Sequence, residues 1–131
     1  MYQKILVPVD GSEHSKRALQ EAINLAKMTD GTITLLNVQT NPSAATASNG
    51  RVEENKPLSE AQKIVQDAGI AVNTVLLQGN VVDQIVKTAK DTGSELIIVG
   101  ARGLSKFEEL LLGSISHGVL EKAPCPVIVT R

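Results

Sequence analysis

Five short apolar runs alternate with longer segments of mixed polarity, and this alternation is the feature that most constrains the fold. Runs of this length with little polar character on either face are typical of parallel strands that helices cover on both sides. The predicted strands, in chain order, are KILVPV (4–9), TITLLNV (32–38), IAVNTVLL (70–77), ELIIVG (95–100) and PVIVT (126–130).

Amphipathic helices are predicted between the strands, because apolar residues recur there at three- and four-residue spacing. Asp10 and Ser12 are the candidate N-caps of the first helix, and Asp30-Gly31 follows its last apolar turn. The pattern predicts an α/β fold, an open five-stranded parallel sheet with helices on both faces. The chain of 131 residues is expected to form one domain, 1–131. The predicted helices span about 13–29, 56–68, 81–89 and 114–122.

The loops that follow the first and fourth strands carry the most distinctive chemistry. Residues 8–11 read Pro-Val-Asp-Gly, and residues 99–103 read Val-Gly-Ala-Arg-Gly. In open parallel sheets, ligands bind beyond the carboxyl ends of the strands, where the strand order reverses. If strands one and four are neighbours, as in the order 3-2-1-4-5, both loops face one crevice.

Composition argues against several classes of partner. The net charge is −1 and the pI is near 6.1, which gives no electrostatic case for nucleic acid or an anionic membrane. No apolar run approaches the roughly 20 residues that span a bilayer. The single cysteine, Cys125, suits a reducing compartment. We therefore expect a cytoplasmic protein with no nucleic-acid partner and no membrane partner.

A glycine pattern after strand four, Gly100-x2-Gly103-x9-Gly113-Ser114, predicts a phosphate site. Glycines allow main-chain N–H groups to approach an anion, and a helix N-terminus adds unpaired donors. The first glycine pair alone could equally be an ordinary turn. The second part of the pattern, Gly113-Ser114 at the start of a predicted helix, makes the whole pattern more specific. It is neither a Walker A loop nor a GxGxxG dinucleotide fingerprint.

Three separated segments together resemble the universal stress protein family. They are the glycine pattern, the opening ILVPVDGSEHSKRAL (5–19) and the ending APCPVIVTR (123–131). The resemblance implies an α/β fold with strand order 3-2-1-4-5 and a homodimer, here expected to form through the edge strand 126–130. It also implies ATP binding in the branch that keeps the glycine pattern, as this chain does.

Residue by residue, the resemblance places Pro8, Val9 and Asp10 against the adenine and ribose, with Val38 closing the adenine pocket. Asp10 could instead be a turn or cap residue, and Val38 a plain core residue. Arg102 could be a solvated loop charge. The resemblance implies Gly100, Arg102 and Gly103 at the ribose and first phosphates, and Gly113, Ser114, Ile115 and Ser116 at the outer phosphates. Val99 is expected as a further nucleotide-binding residue.

The function that follows is binding of ATP, together with Mg²⁺, by a stress-response regulator. Occupancy would then set the conformation of the loop 39–51, the insert 104–112 or the dimer. Two alternatives stay open: a slow ATP-hydrolysing enzyme, and a dimeric interaction module that binds a cyclic nucleotide. No catalytic residue is assigned, because His14 and His117 lack an evident carboxylate partner in sequence. No cluster of residues has metal-ligand spacing.

Overall fold

The structure is a computed structural model that describes residues 1–40, 54–101 and 113–131. The predicted elements are found within one residue of their expected bounds, except that the third helix extends to Thr92. Arg102, Gly103, the insert 104–112 and most of the predicted loop 39–51 lie outside the described residues. The elements are β1 (Lys4–Pro8), α1 (Glu13–Thr29), β2 (Thr32–Gln39), α2 (Lys56–Asp67), β3 (Ala71–Gln78), α3 (Val81–Thr92), β4 (Leu96–Gly100), α4 (Ser114–Lys122) and β5 (Val127–Thr130).

The five strands form one parallel sheet in the order β3-β2-β1-β4-β5, which confirms the predicted topology. β1 lies at the centre, where Ile5 pairs with Ile33 of β2 and with Leu96 of β4. The chain order reverses on either side of β1, so this strand and β4 flank the switch point. As a result, the carboxyl ends of β1 and β4 lie side by side.

Helices cover both faces of the sheet, because successive strand residues point to opposite sides. Ile5 and Val7 of β1 pack with α1 and α2 in one buried cluster. Leu6, between them, packs with Ile85 of α3 and Val119 of α4 in the other. Strands buried on both faces explain why the central runs are almost wholly apolar. Within the described part of the chain, no helix combines the length and apolarity that crossing a membrane requires.

The helix ends follow local capping rules. Ser12, Asn55 and Asn80 begin α1, α2 and α3, and each side chain accepts a hydrogen bond from the backbone N–H three residues on. α1 is therefore capped by Ser12 and not by Asp10. It ends at Asp30, which is left-handed with φ 57°, as expected from the Asp30-Gly31 stop signal. α4 differs, since it begins at Gly113 with no side-chain cap.

Gly100, the last residue of β4, allows the first turn of α1 to approach the sheet closely. A Cβ at this position would lie 2.6 Å from both the carbonyl carbon and the carbonyl oxygen of His14. Backbone atoms cannot rotate away as a side chain can. Gly118 in α4 makes a different close approach, because its Cβ would meet the side chain of Val82 at 2.8 Å.

We expect Gly100→Ala to lower the free energy of unfolding by about 1–3 kcal/mol, because overpacking against rigid backbone forces α1 away from β4. Gly118→Ala should cost less, since the added methyl meets a side chain and not the backbone, and alanine gains about 1 kcal/mol of helix propensity. Urea denaturation of both variants and the wild type measures the difference. A Gly100→Ala variant as stable as the wild type would contradict the close packing described here.

Candidate functional site

A cavity of about 170 Å³ lies at the carboxyl ends of the strands, at the predicted switch point. The ends of β1, β2 and β4 form its floor, and the amino-terminal turns of α1, α3 and α4 form its walls. Its lining residues are Pro8, Val9, Asp10, Ser12, Ser15, Leu36, Asn37, Val38, Thr40, Val81, Ile85, Val99, Gly100 and Ile115.

Seven of the twelve residues predicted for the site line this cavity. Among the others, Gly113, Ser114 and Ser116 do not line it, although they are close in sequence to Ile115, which does. Arg102 and Gly103 lie outside the described residues. The seven lining residues are Pro8, Val9, Asp10, Val38, Val99, Gly100 and Ile115.

Sequence reasoning missed the other half of the lining. Asn37 had a usable signal, because a buried amide in an otherwise apolar strand requires a hydrogen-bonding partner. Ser12 and Ser15 follow Asp10 closely in the sequence and could have been grouped with it. Val81 and Ile85 had no such signal, since their spacing in α3 fits an ordinary core-facing stripe. Only the packing of α3 against the sheet brings them to the cavity.

The cavity has an apolar side and a polar side. Leu36, Val38 and Val81 extend the buried cluster beneath α3 and α4, and together with Ile85 and Ile115 they form the apolar side. The polar side consists of Asp10, Ser12, Ser15, Asn37 and Thr40. This division suits a small molecule with a flat apolar part and polar groups along one edge.

Asp10 is held in a compact turn at the cavity rim. One carboxylate oxygen, Oδ1, accepts a hydrogen bond from the backbone N–H of Ser12 at 2.9 Å. The backbone N–H of Asp10 donates to Ser15 Oγ at 3.4 Å, and that hydroxyl donates to the carbonyl of Ser12 at 3.1 Å. The turn role considered for Asp10 is therefore present in the structure, and it leaves the side chain among the lining residues.

The amino-terminal turn of α4 borders the cavity through Ile115. Gly113 precedes the helix in an extended conformation, and its carbonyl accepts hydrogen bonds from the Ser116 hydroxyl at 3.1 Å and from the His117 N–H at 3.0 Å. Ser116 is fully buried. The first N–H groups of a helix have no partner within it, and they form its positive dipole end. An anion at this turn could accept hydrogen bonds from these backbone N–H groups, because Gly113 provides no side-chain cap that would accept them instead.

The described residues include three titratable groups that could suggest further chemistry, His14, His117 and Cys125. His117 does have a carboxylate partner, contrary to our expectation, because its Nε2 lies 2.7 Å from Glu121 Oε1 one helical turn on. Both side chains are exposed, and neither histidine lines the cavity. Burial raises the pKa of the Cys125 thiol, as for a packed apolar residue. Over residues 1–40, 54–101 and 113–131, no three His, Cys, Asp or Glu side chains group into a possible metal site.

The sequence and its relatives agree on one family. The sequence model that describes the universal stress protein family matches residues 1–131. A curated relative, universal stress protein YxiE of Bacillus subtilis, is 33% identical over 148 residues, and the alignment covers the whole of both chains.

Two solved structures of similar fold carry nucleotides. A universal stress protein of Archaeoglobus fulgidus in complex with dAMP is 25% identical, with a TM-score of 0.78 and 99% and 98% of the two chains covered. A universal stress protein in complex with cAMP is also 25% identical, with a TM-score of 0.76 and 99% and 97% covered.

Proposed function

The chain belongs to the universal stress protein family, and we propose that it binds an adenine nucleotide in the cavity described above. The observation that carries the proposal is the position of this cavity. It lies at the switch point of the sheet, and seven residues chosen from sequence for nucleotide contact line it. The dAMP and cAMP complexes of similar proteins support the same class of ligand.

The base is proposed to occupy the apolar side. Val38 and Ile115 would contact the faces of the ring, and the main chain at the end of β2 would meet its polar edge. The volume supports this assignment. Pockets for complete ligands usually measure about 300–1,000 Å³, so a cavity of about 170 Å³ holds only part of a nucleotide. The phosphates would extend beyond it.

The phosphates are proposed to lie at the amino-terminal turn of α4. Ile115 lines the cavity, so a ligand bound there is one residue away from the main-chain donors of Ser114 and Ser116. The absence of a side-chain cap at Gly113 favours this arrangement. A helix N-terminus with open N–H groups stabilises phosphate through hydrogen bonds and its dipole.

ATP is the nucleotide we propose, because Gly113-Ser114, the second part of the glycine pattern, provides for a phosphate chain longer than that of a monophosphate. Mg²⁺ in such sites takes most of its ligands from phosphates and water, with one or two carboxylates from the protein. Asp10 places a carboxylate on the cavity wall, and this donor set fits Mg²⁺ that enters with ATP.

We further propose that occupancy acts as a regulatory switch in the cytoplasm. The cavity is built from three strand ends and from helices on both faces of the sheet, so a bound nucleotide would contact elements that pack in different layers. A ligand shifts a conformational equilibrium when it contacts one arrangement better than another. The free thiol of Cys125 suits a reducing compartment.

A homodimer through β5 is also part of the proposal. β5 is an edge strand in the observed order, and the side chains of Ile128 and of Leu120 on the neighbouring α4 are 42% and 43% exposed. An exposed apolar edge favours pairing with another strand. Two copies related by a two-fold axis would pair β5 with β5 and cover both edges.

Asp10→Asn tests the ligand role of Asp10 against its turn role. Asparagine keeps an oxygen that accepts from the Ser12 N–H, so the turn should persist, but it removes the charge that strengthens hydrogen bonds to ribose hydroxyls. We expect binding of ATP with Mg²⁺ to weaken about tenfold in calorimetry. A dissociation constant equal to that of the wild type would leave Asp10 with only its turn role.

Gly113→Val tests the phosphate assignment. The backbone at Gly113, with φ −65° and ψ 160°, is accessible to valine, so the fold should survive while the side chain fills the phosphate position. We expect calorimetry to detect no ATP binding. Ala71→Val, at the exposed start of β3, is the matched control and should bind normally. Equal affinity for ATP in both variants would refute the assignment of the phosphate site to Gly113-Ser114.

Val129→Pro tests the dimer. The carbonyls of Pro126 and Thr130 accept hydrogen bonds from the N–H groups of Ile97 and Ala101 at 3.0 and 2.7 Å. Alternate residues of β5 therefore face β4, and the N–H of Val129 points outward. Proline removes that outward donor and keeps the bonds to β4, whereas Val129→Thr keeps the donor. In sedimentation at micromolar concentration, we expect a dimer for the wild type and Val129→Thr, and a monomer for Val129→Pro. A monomeric wild type would refute the dimer.

A further inference from the structure

The peptide group between Val9 and Asp10 is fixed at both ends by side chains. Its carbonyl oxygen, on Val9, accepts a hydrogen bond from Asn37 Nδ2 at 2.7 Å. Its N–H, on Asp10, donates to Ser15 Oγ at 3.4 Å. The strand ladder has already ended here, because the last bond from this segment to β2 runs from the Val9 N–H to Leu36. Side chains therefore set the direction in which β1 delivers Asp10 to the cavity.

Asn37 is itself held by a second asparagine. Asn55 Nδ2 donates to Asn37 Oδ1 at 3.0 Å, while Asn55 Oδ1 accepts from the Leu58 N–H at 3.1 Å as the N-cap of α2. The four groups form one directed chain of hydrogen bonds from α2 to the end of β1. Asn55 lies in the middle, with its two polar atoms committed to different elements.

Burial makes this chain sensitive to the loss of any member. Asn37 and Asn55 are 9% and 5% exposed, and both are among the few buried polar residues of the described chain. A buried donor or acceptor without a partner is costly, so each amide has one favourable orientation. If Asn55 no longer donates, Asn37 loses the contact that selects its orientation, and the Val9 carbonyl loses its fixed donor.

The geometry points to Asn55 as a positioning residue for the nucleotide site, acting through Asn37 on the Val9–Asp10 peptide. Asn55 does not line the cavity, whereas Asn37, Val9 and Asp10 do. This inference rests on the proposed function. It adds that α2, a helix that contributes no lining residue, determines the orientation of the Val9–Asp10 peptide group at the cavity.

Asn55→Ser separates the two roles of the residue. Serine is as good an N-cap as asparagine, so α2 should keep its start, but its side chain is too short to cap Leu58 and reach Asn37 as well. The matched control is Asn80→Ser, the same change at the N-cap of α3, where the side chain is exposed and accepts from the Asp83 N–H. In calorimetry we expect ATP to bind Asn55→Ser about three- to tenfold more weakly, and Asn80→Ser like the wild type.

A double-mutant cycle tests whether Asn55 acts through Asn37. In an Asn37→Ala background the chain of hydrogen bonds from α2 to the end of β1 is already broken, so adding Asn55→Ser should change the affinity for ATP less than twofold. A role of Asn55 confined to the stability of α2 would give the same loss of affinity in both backgrounds, and that result would overturn the inference.

A measurement without ligand separates this inference from the proposed function. In ¹⁵N-resolved NMR spectra of the free protein, Asn55→Ser should shift the Asp10 backbone amide and the Asn37 side-chain amide, and Asn80→Ser should leave both in place. Unchanged signals in Asn55→Ser would overturn the positioning role. If the wild type binds no nucleotide, the proposed function fails, and the spectra still decide whether Asn55 orients the end of β1.

Discussion

Parallel pairing of β1 with both β2 and β4 is the constraint on which the rest of the structure depends. Because β1 has a partner strand on each side, its end lies beside the ends of two other strands, while helices bury its residues on both faces. The ends of these three strands form the floor of the recess, and β2 continues past the end of β1 to Gln39. The helices that follow β1 and β3, together with α4 beyond β4, then enclose it.

A close contact between backbone segments of β4 and α1 forms one wall of this recess. The first turn of α1 lies against Gly100, at a distance that any side chain would prevent. The same turn presents Ser12 and Ser15 to the cavity and holds Asp10 by hydrogen bonds. Gly100 therefore serves the packing of α1 as well as the cavity wall. Gly100 belongs to the glycine pattern that predicts a phosphate site, yet its close neighbour in the structure is the backbone of His14.

The buried asparagines introduce a second level of control. Apolar packing fixes which strands are neighbours, but it does not fix the orientation of a peptide group beyond the last ladder bond. Directional hydrogen bonds do, and a buried amide offers few alternative orientations. The site thus combines a hydrophobic framework, which sets the position of the strand ends, with a polar network, which sets the direction of the groups at their tips.

The sequence by itself determined the elements, since apolar runs, helical periodicity and stop signals such as Asp30-Gly31 are local, and the helices and strands lie within a few residues of their predicted ends. The strand order was expected from the family resemblance, and the structure confirms it. The sequence also predicted half of the residues that line the cavity, most of them at the ends of strands. Only the tertiary structure decided the other half. Val81 and Ile85 appear in sequence as ordinary core residues, and Asn37 meets Asn55 across a separation of 18 residues. Such contacts depend on how helices pack over the sheet, and no local pattern encodes that.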